Sequence, residues 1–382
     1  MVWRQLFARM VPLAIAGGLG CFVPALLVWE SVDPWRTAKS FENHRPRDIQ
    51  PLSPSREARG AEFSSGLLPP LANREPTAIE LSLPLGIPSV PFPEDNPPTR
   101  ERIDLGRRLF FDPRLSSDES ISCASCHNPE QAFADGEATS RGIGGKKGTR
   151  NTPTVINTAF QPYQFWDGRV SSLEDQALHP LENPIEMGAS IPIIADKLNQ
   201  LPEYRDAFRR VFNAPVTRNN LAQALASFER TVLAGDSAYD QYVAGNATAL
   251  SQKAAEGLKL VEGKAHCRLC HQGYNFSDGA FHNLGIGWDE TGFTDQGRSA
   301  VTGIVKDRGA FKTPTLRQVA QTGPYMHDGS LASLEAVVNF YDRGGTRNPH
   351  LDPLIQPLRL TLQEKEALVE FLRSLSGKVR FY

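Results

Sequence analysis

The sequence predicts a mainly α protein built from two repeated domains with long connecting loops. Three observations predict it. The pattern Cys-x-x-Cys-His occurs twice, as Cys123-Ala-Ser-Cys126-His127 and as Cys267-Arg-Leu-Cys270-His271, with the two copies 144 residues apart. Each copy is followed by Thr-Pro-Thr (Thr152 to Thr154, Thr313 to Thr315), then by Asp-Gly (Asp167-Gly168, Asp328-Gly329), then by Ser-Leu-Glu (Ser172 to Glu174, Ser333 to Glu335). Such an internal repeat marks two copies of one fold. Apolar residues elsewhere recur at helical spacing, and no segment of useful length alternates as a strand does.

Each Cys-x-x-Cys-His has the parts for attaching a c-type haem: two thiols for the porphyrin vinyl groups and an imidazole for the iron. A zinc ribbon would bring its second cysteine pair within roughly 15–20 residues, and a thioredoxin-like site would place one pair in a βαβ context. Neither description fits. Two covalently bound c-type haems are therefore expected, one at Cys123, Cys126 and His127, the other at Cys267, Cys270 and His271. Two irons can hold the two oxidising equivalents that peroxide delivers.

The chain has 382 residues, 40% of them hydrophobic and 22% charged, enough for two ordinary domains. A formal net charge of −2 gives no reason to expect a nucleic-acid partner. Of five cysteines, four are haem attachments and one is Cys21, so no structural disulfide is left to propose.

The elements can be taken in order. Arg4 and Arg9 precede an apolar run from Met10 to Trp29. At about 1.5 Å per residue that run reaches the ~30 Å thickness of a bilayer core. Residues 1–29 are either a signal peptide or a membrane anchor, and in both cases the chain beyond residue 30 is exported, to the periplasm. Residues 30–98 are Pro-rich: a tether first, then a strap laid across a domain. A helix is expected over Glu101 to Phe111, closed by Asp112-Pro113. The next runs from Thr217, as cap, to Leu233, with Leu221, Leu225, Phe228 and Val232 on one face and Gly235 as the stop. Ser251 to Val261 repeats that design before the second motif. Ser333 to Tyr341 comes after it, then Leu362 to Leu375, where Thr361 and Glu364 form a capping box. The domains read as 99–240 and 241–382.

Taken together, these residues resemble the bacterial dihaem cytochrome c peroxidases and their MauG-type relatives. The resemblance covers about residues 95 to 380. It rests on Leu109 to Ser116, on both haem motifs, on Phe165-Trp166-Asp167-Gly168-Arg169, and on Pro324-Tyr325-Met326-His327-Asp328-Gly329-Ser330. It implies two cytochrome c-like haem domains, the first of them peroxidatic. It also implies that His127 and His271 are proximal ligands and that Trp166 lies between the haems as an electron relay.

Gln176, Pro180 and Glu186 fall at the family's pocket positions, and Glu186 would move protons on bound peroxide over the first iron. Read without the family, Trp166 is an ordinary core Trp and Glu186 a solvated loop carboxylate. In many relatives a His between the first motif and the Trp blocks that iron. Here residues 128–166 hold no His, and the corresponding stretch Arg141 to Gly148 is Gly-rich and basic. The first haem is therefore expected to be open to peroxide.

Fourteen residues beyond His327 stands Tyr341, where classical members have a Met ligand and MauG-type members a Tyr. Met326 is a rival thioether ligand, and His327 is expected to lie near the Tyr-bound haem. A hard phenolate favours higher oxidation states of iron, and a soft thioether favours Fe(II). Asn151, Thr322 and Pro324 match positions that hold Ca²⁺ in relatives. His44, His179, His266, His282 and His350 have no role assigned by the resemblance.

The leading expectation is a MauG-type enzyme. H₂O₂ would take the haem pair to a high-valent, bis-Fe(IV) state, which then oxidises a side chain, a Trp, on an exported partner protein by long-range electron transfer. The partner would be an amine dehydrogenase precursor, or a copper-binding protein as for methanobactin-associated members such as MbnH. Ala265 stands where the cofactor-maturing relative has a surface Trp, which favours the second kind. The alternative is a peroxidase reducing H₂O₂ with electrons from a small cytochrome or cupredoxin. A third reading, a two-haem electron carrier, would fill both axial positions on each iron.

Overall fold

The computed structural model describes residues 78–382. The expected signal or anchor, and the tether up to residue 77 with Cys21 and His44, lie outside the described residues. Among the described residues no helix is long and apolar enough to cross a membrane.

Residues 78–99 run as a strap held by polar contacts. The Leu85 amide donates to Asp236 Oδ1 at 2.7 Å, and the fully buried Asn96 side chain donates to Glu174 Oε1 and to the Gln223 carbonyl. Thr99 then caps α1 (Arg100–Phe110), whose Ile103, Leu105, Leu109 and Phe110 are buried. The first motif forms one helical turn, α2 (Cys123–Cys126). Ser172 caps α3 (Leu173–Glu182), and α4 (Ile191–Gln200), α5 (Pro202–Phe212) and α6 (Arg218–Glu229) come after it.

Next come β1 (Leu233–Gly235), α7 (Ala238–Val243) and α8 (Gln252–Glu262). The second motif makes a 3₁₀ turn, and short elements succeed it: β2 (Phe281–Asn283), β3 (Trp288–Asp289), β4 (Gly292–Phe293), α9 (Ser299–Thr302) and β5 (Ala310–Lys312). The chain ends with α10 (Leu334–Asp342), α11 (Leu362–Arg373) and β6 (Lys378–Arg380). The capping box of Thr361 and Glu364 is formed. The strands pair antiparallel as β1–β6, β2–β5 and β3–β4.

The helix expected to reach Leu233 stops at Glu229. The Thr231 amide and hydroxyl both donate to the Phe228 carbonyl, turning the chain, and Leu233 to Gly235 then pair with Arg380 to Lys378. The competing strand partner comes from the far end of the chain, out of reach of a local pattern.

The repeat has a packing signature. α1 crosses α6 at Gly106, where a Cβ would lie 1.8 Å from the Ala224 carbonyl oxygen and against Phe228. α8 crosses α11 at Gly257, where a Cβ would lie 2.0 Å from the Ala367 carbonyl oxygen and against Phe371. Each crossing thus sets one glycine on an Ala-x-x-x-Phe face. Two hydrophobic clusters result, one around Leu109, Phe110, Leu225 and Phe228, the other around Val261, Val338, Leu368 and Phe371. Val379 and Phe381, from the C-terminus, pack on the first cluster, with Phe381 edge-on to Phe133 and Phe228.

Glu229 is buried at the end of α6, and its Oε2 has no hydrogen-bond partner among the described residues. The neighbouring Arg230 is taken up bidentately by Glu174. Burial first, opposed by Arg230 and aided by Glu174, pushes the Glu229 carboxyl up to about 8.

Gly106→Ala or Gly257→Ala should each lower stability by about 1–3 kcal/mol in urea unfolding, because backbone rather than a flexible side chain must yield. For Glu229, unfolding releases a proton between the ordinary carboxylate range and about 8, so its contribution is fully present at acid pH and lost as pH rises through that window. The stability of Glu229→Gln relative to the parent should therefore increase by at least ~1 kcal/mol between about pH 5 and pH 9; parallel pH profiles would refute this.

Candidate haem sites and peroxide pocket

At the second motif the chain encloses a large, mostly apolar cavity. Cys267, Cys270 and His271 line it together with Val261, Leu334, Val338 and Leu368. His271 Nδ1 donates to the Phe276 carbonyl at 2.8 Å, which leaves Nε2 as the acceptor. Phe276 presents that carbonyl from a left-handed conformation, φ 50°. The first motif repeats the device. His127 Nδ1 lies 3.2 Å from the Phe133 carbonyl, and Phe133 has φ 57°. Burial lowers the pKa of both histidines and so holds the imidazoles neutral, as metal ligation requires. A neutral imidazole of fixed tautomer and two thiols fit a haem at each motif, and at the second the apolar cavity wall adds to the fit.

Tyr341, Met326 and His327 all line the second cavity. Burial, then Cys267 and Cys270, push the Tyr341 hydroxyl well above its usual range, so its ring lies close to the motif. His327 is buried and stacks on Phe311 with ring centres 3.6 Å apart. Burial, reinforced by Arg150 and opposed by Asp328 and Asp295, lowers its pKa to about 4. His282, which has no role expected from sequence, is held between two carboxylates: its Nδ1 lies 2.6 Å from Asp352 and its Nε2 3.0 Å from Asp278, beside Cys270.

Near the first motif, Arg169, His179, Glu182, Asn183 and Glu186 surround an open, polar pocket. Asn183 Nδ2 donates to Glu186 Oε1 at 2.7 Å. Burial pushes the Glu186 carboxyl up, while Asn183, Arg169 and His179 pull it down. Glu186 in turn helps raise the thiols of Cys123 and Cys126, so it acts on the first motif.

The Gly-rich loop sits against this carboxylate. A Cβ on Gly142 would lie 1.9 Å from the Ile185 carbonyl oxygen, and the Ile143 amide donates to the Glu186 carbonyl at 2.8 Å. Gln176 and Pro180 are half-buried on α3 and do not line this pocket; the Pro180 carbonyl accepts the Met187 amide. His179, unassigned from sequence, does line it. Its signal was helical spacing: it stands one turn before Asn183.

Trp166 lines the second cavity. Its indole donates to the Asn151 carbonyl at 2.9 Å, and its own carbonyl accepts the Lys312 amide at 2.8 Å. The Asn151 amide donates to the His327 carbonyl at 2.7 Å, so one residue ties Trp166 to His327. Asn151 Nδ2 donates to the Glu137 carbonyl, its Oδ1 accepts no bond among the described residues, and Thr322 and Pro324 line the same cavity.

Two sites competent for haem in a helical frame define the class, a dihaem oxidoreductase. Residues 100–248 match the family described as di-haem cytochrome c peroxidase. Methylamine utilization protein MauG of Methylorubrum extorquens is 40% identical over 293 residues, covering 76% of this chain and 82% of that protein. Cytochrome c551 peroxidase of Pseudomonas aeruginosa is 37% identical over 301 residues, covering 75% and 84%. A solved MauG-like protein associated with microbial copper homeostasis superposes with a TM-score of 0.72 at 35% identity, covering 79% of this chain and 96% of that one. The chain belongs to the dihaem cytochrome c peroxidase and MauG family, and it is an oxidoreductase with haem cofactors.

The Asn183 bond holds the Glu186 pKa down, so Asn183→Ala should shift the acidic limb of the pH profile for reaction with peroxide to higher pH. A stopped-flow pH series checks this, and an unmoved limb contradicts it.

Proposed function

We propose that this protein is a MauG-type enzyme: it uses H₂O₂ to oxidise its haem pair and then oxidises a side chain, a Trp, of an exported partner protein by long-range electron transfer. The observation that carries the reading is Tyr341 at the second cavity, close to Cys267 and Cys270, with no hydrogen-bond partner for its hydroxyl among the described residues. Cys123 and Cys126, and Cys267 and Cys270, would hold two c-type haems covalently, with His127 and His271 as iron ligands, and these groups would supply two one-electron centres.

Glu186 takes the proton from the proximal oxygen of H₂O₂ and returns it to the leaving oxygen, which departs as water. Asn183 fixes Oε1 of that carboxylate and leaves Oε2 for the substrate. Arg169 and His179 favour the carboxylate form, which accepts the proton before the first transfer and is restored by the second. Gln176 and Pro180 shape α3 behind this pocket. Gly142 seats the loop without a blocking histidine, so peroxide has access without prior reduction.

Trp166 conducts the electron between the two centres. Burial, with Cys267 and Cys270, keeps the proton on Tyr341, so phenolate ligation would need a cation facing the oxygen. The open Asn151 Oδ1, with carbonyls of Thr322 and Pro324 and water, suits Ca²⁺, which would brace Trp166 through the Asn151 backbone.

The likeness to the copper-associated MauG-like protein, together with Ala265, supports a copper-binding partner over an amine dehydrogenase precursor. Export to the periplasm, through or tethered by residues 10–29, agrees with c-type haem attachment. A second reading, a peroxidase fed by a small cytochrome, is favoured by one observation: Met326 lines the same cavity as Tyr341.

Mixing the fully oxidised protein with one equivalent of H₂O₂ should give a long-lived near-infrared band. No reaction until prior reduction would sink the proposal in favour of the peroxidase. Glu186→Gln should slow the peroxide reaction by ~10²-fold or more. Tyr341→Phe should keep two haems per chain but change the second haem's spectrum and abolish the band; an unchanged spectrum assigns the ligand to Met326 instead.

A further inference from the structure

Apolar and neutral polar side chains, with histidines, make up nearly all of the second cavity's wall. Lys312 is the one Lys, Arg, Asp or Glu among the described residues lining it. Its root is fixed. Phe311 beside it is buried against His327, Lys312 pairs with Phe281 across β2–β5, and its amide donates to the Trp166 carbonyl. The ammonium has no ion pair or hydrogen bond among the described residues, and burial alone lowers its pKa to about 8.

Other deep cations in this chain are matched. Arg317 meets Asp240 at 2.5 Å, Arg230 meets Glu174 at 2.6 Å, and Arg150 meets Asp167 and Asp295, each at 2.7 Å. Lys312 is half-buried on an apolar wall, where a cation without a partner is costly, so the exception calls for an anion that arrives with the cavity's occupant. A haem carries two carboxylates.

The geometry points to Lys312 as the counter-ion of a propionate of the second haem. This rests on a haem being attached at Cys267 and Cys270. It is independent of whether the enzyme acts on a protein or on a small electron donor. The pairing places a fixed positive charge beside that haem, on the residue whose backbone also holds Trp166. It therefore raises the potential of the second haem more than that of the first, and sets how charge divides between them.

The test is a spectroelectrochemical titration of holo Lys312→Met beside the parent, with haem counted as the pyridine haemochrome. Two haems per chain are expected, with the midpoint potential of the second haem lowered, that of the first moved less, and Lys312→Arg close to the parent. An unchanged second potential in Lys312→Met overturns the proposal. So does an equal shift at both haems, or an Arg variant as displaced as the Met variant. If Lys312→Met does not mature, Lys312→Gln takes its place under the same criteria. A parent protein carrying one haem, at the first motif, overturns the underlying cofactor reading along with this one. Two haems with unmoved potentials overturn the role of Lys312 alone.

Discussion

Each motif histidine is held by a bond from Nδ1 to a phenylalanine carbonyl, and the use of the whole frame depends on it. The bond fixes the tautomer, aims Nε2 into the haem site, and makes a better ligand of the ring. It is made the same way at both sites, by a Phe in a left-handed conformation that turns its carbonyl back toward the ring. For a non-glycine residue that conformation is unfavourable by about 1 kcal/mol or more, and only the packing around Phe133 and Phe276 holds it. Core and ligand are one design: the rings that anchor the acceptors belong to the two hydrophobic clusters.

From these similar foundations the two halves diverge in their walls. The first motif has an open polar pocket with a carboxylate whose proton affinity is set by burial against three opposing groups. The second has a broad apolar cavity with a phenol, a thioether and a neutral histidine on it. Matching motifs thus sit in unequal surroundings, one polar and titratable, the other apolar. Trp166 is positioned by backbone groups of Asn151 and Lys312, so mutation of those side chains would leave its hydrogen bonds available.

Much of this was legible in the sequence, and what was not has identifiable causes. The caps at Thr217, Ser251, Ser333 and Thr361 located helix starts to within a residue, because capping is local chemistry. The end of α6 was missed because its competitor, β6, lies at the other end of the chain. The motif histidines were picked out by the Cys-x-x-Cys-His pattern, and Glu186 by its place in the family pattern. The partnership of His179 with Glu186, and the isolation of Lys312, were not, since both depend on which groups lie nearby in space and which do not. Gln176 and Pro180 came from the family pattern, and the structure sets them behind the pocket rather than on its wall.

The C-terminal strand carries a consequence for how the molecule is made. β1 has its hydrogen-bonding partner, and Phe133 and Phe228 their covering ring, only once residues 378–382 are in place. The first half therefore cannot finish its core during synthesis, however early its own residues emerge. Residues 378–382 thus act as a latch on the first half, supplied from far along the chain.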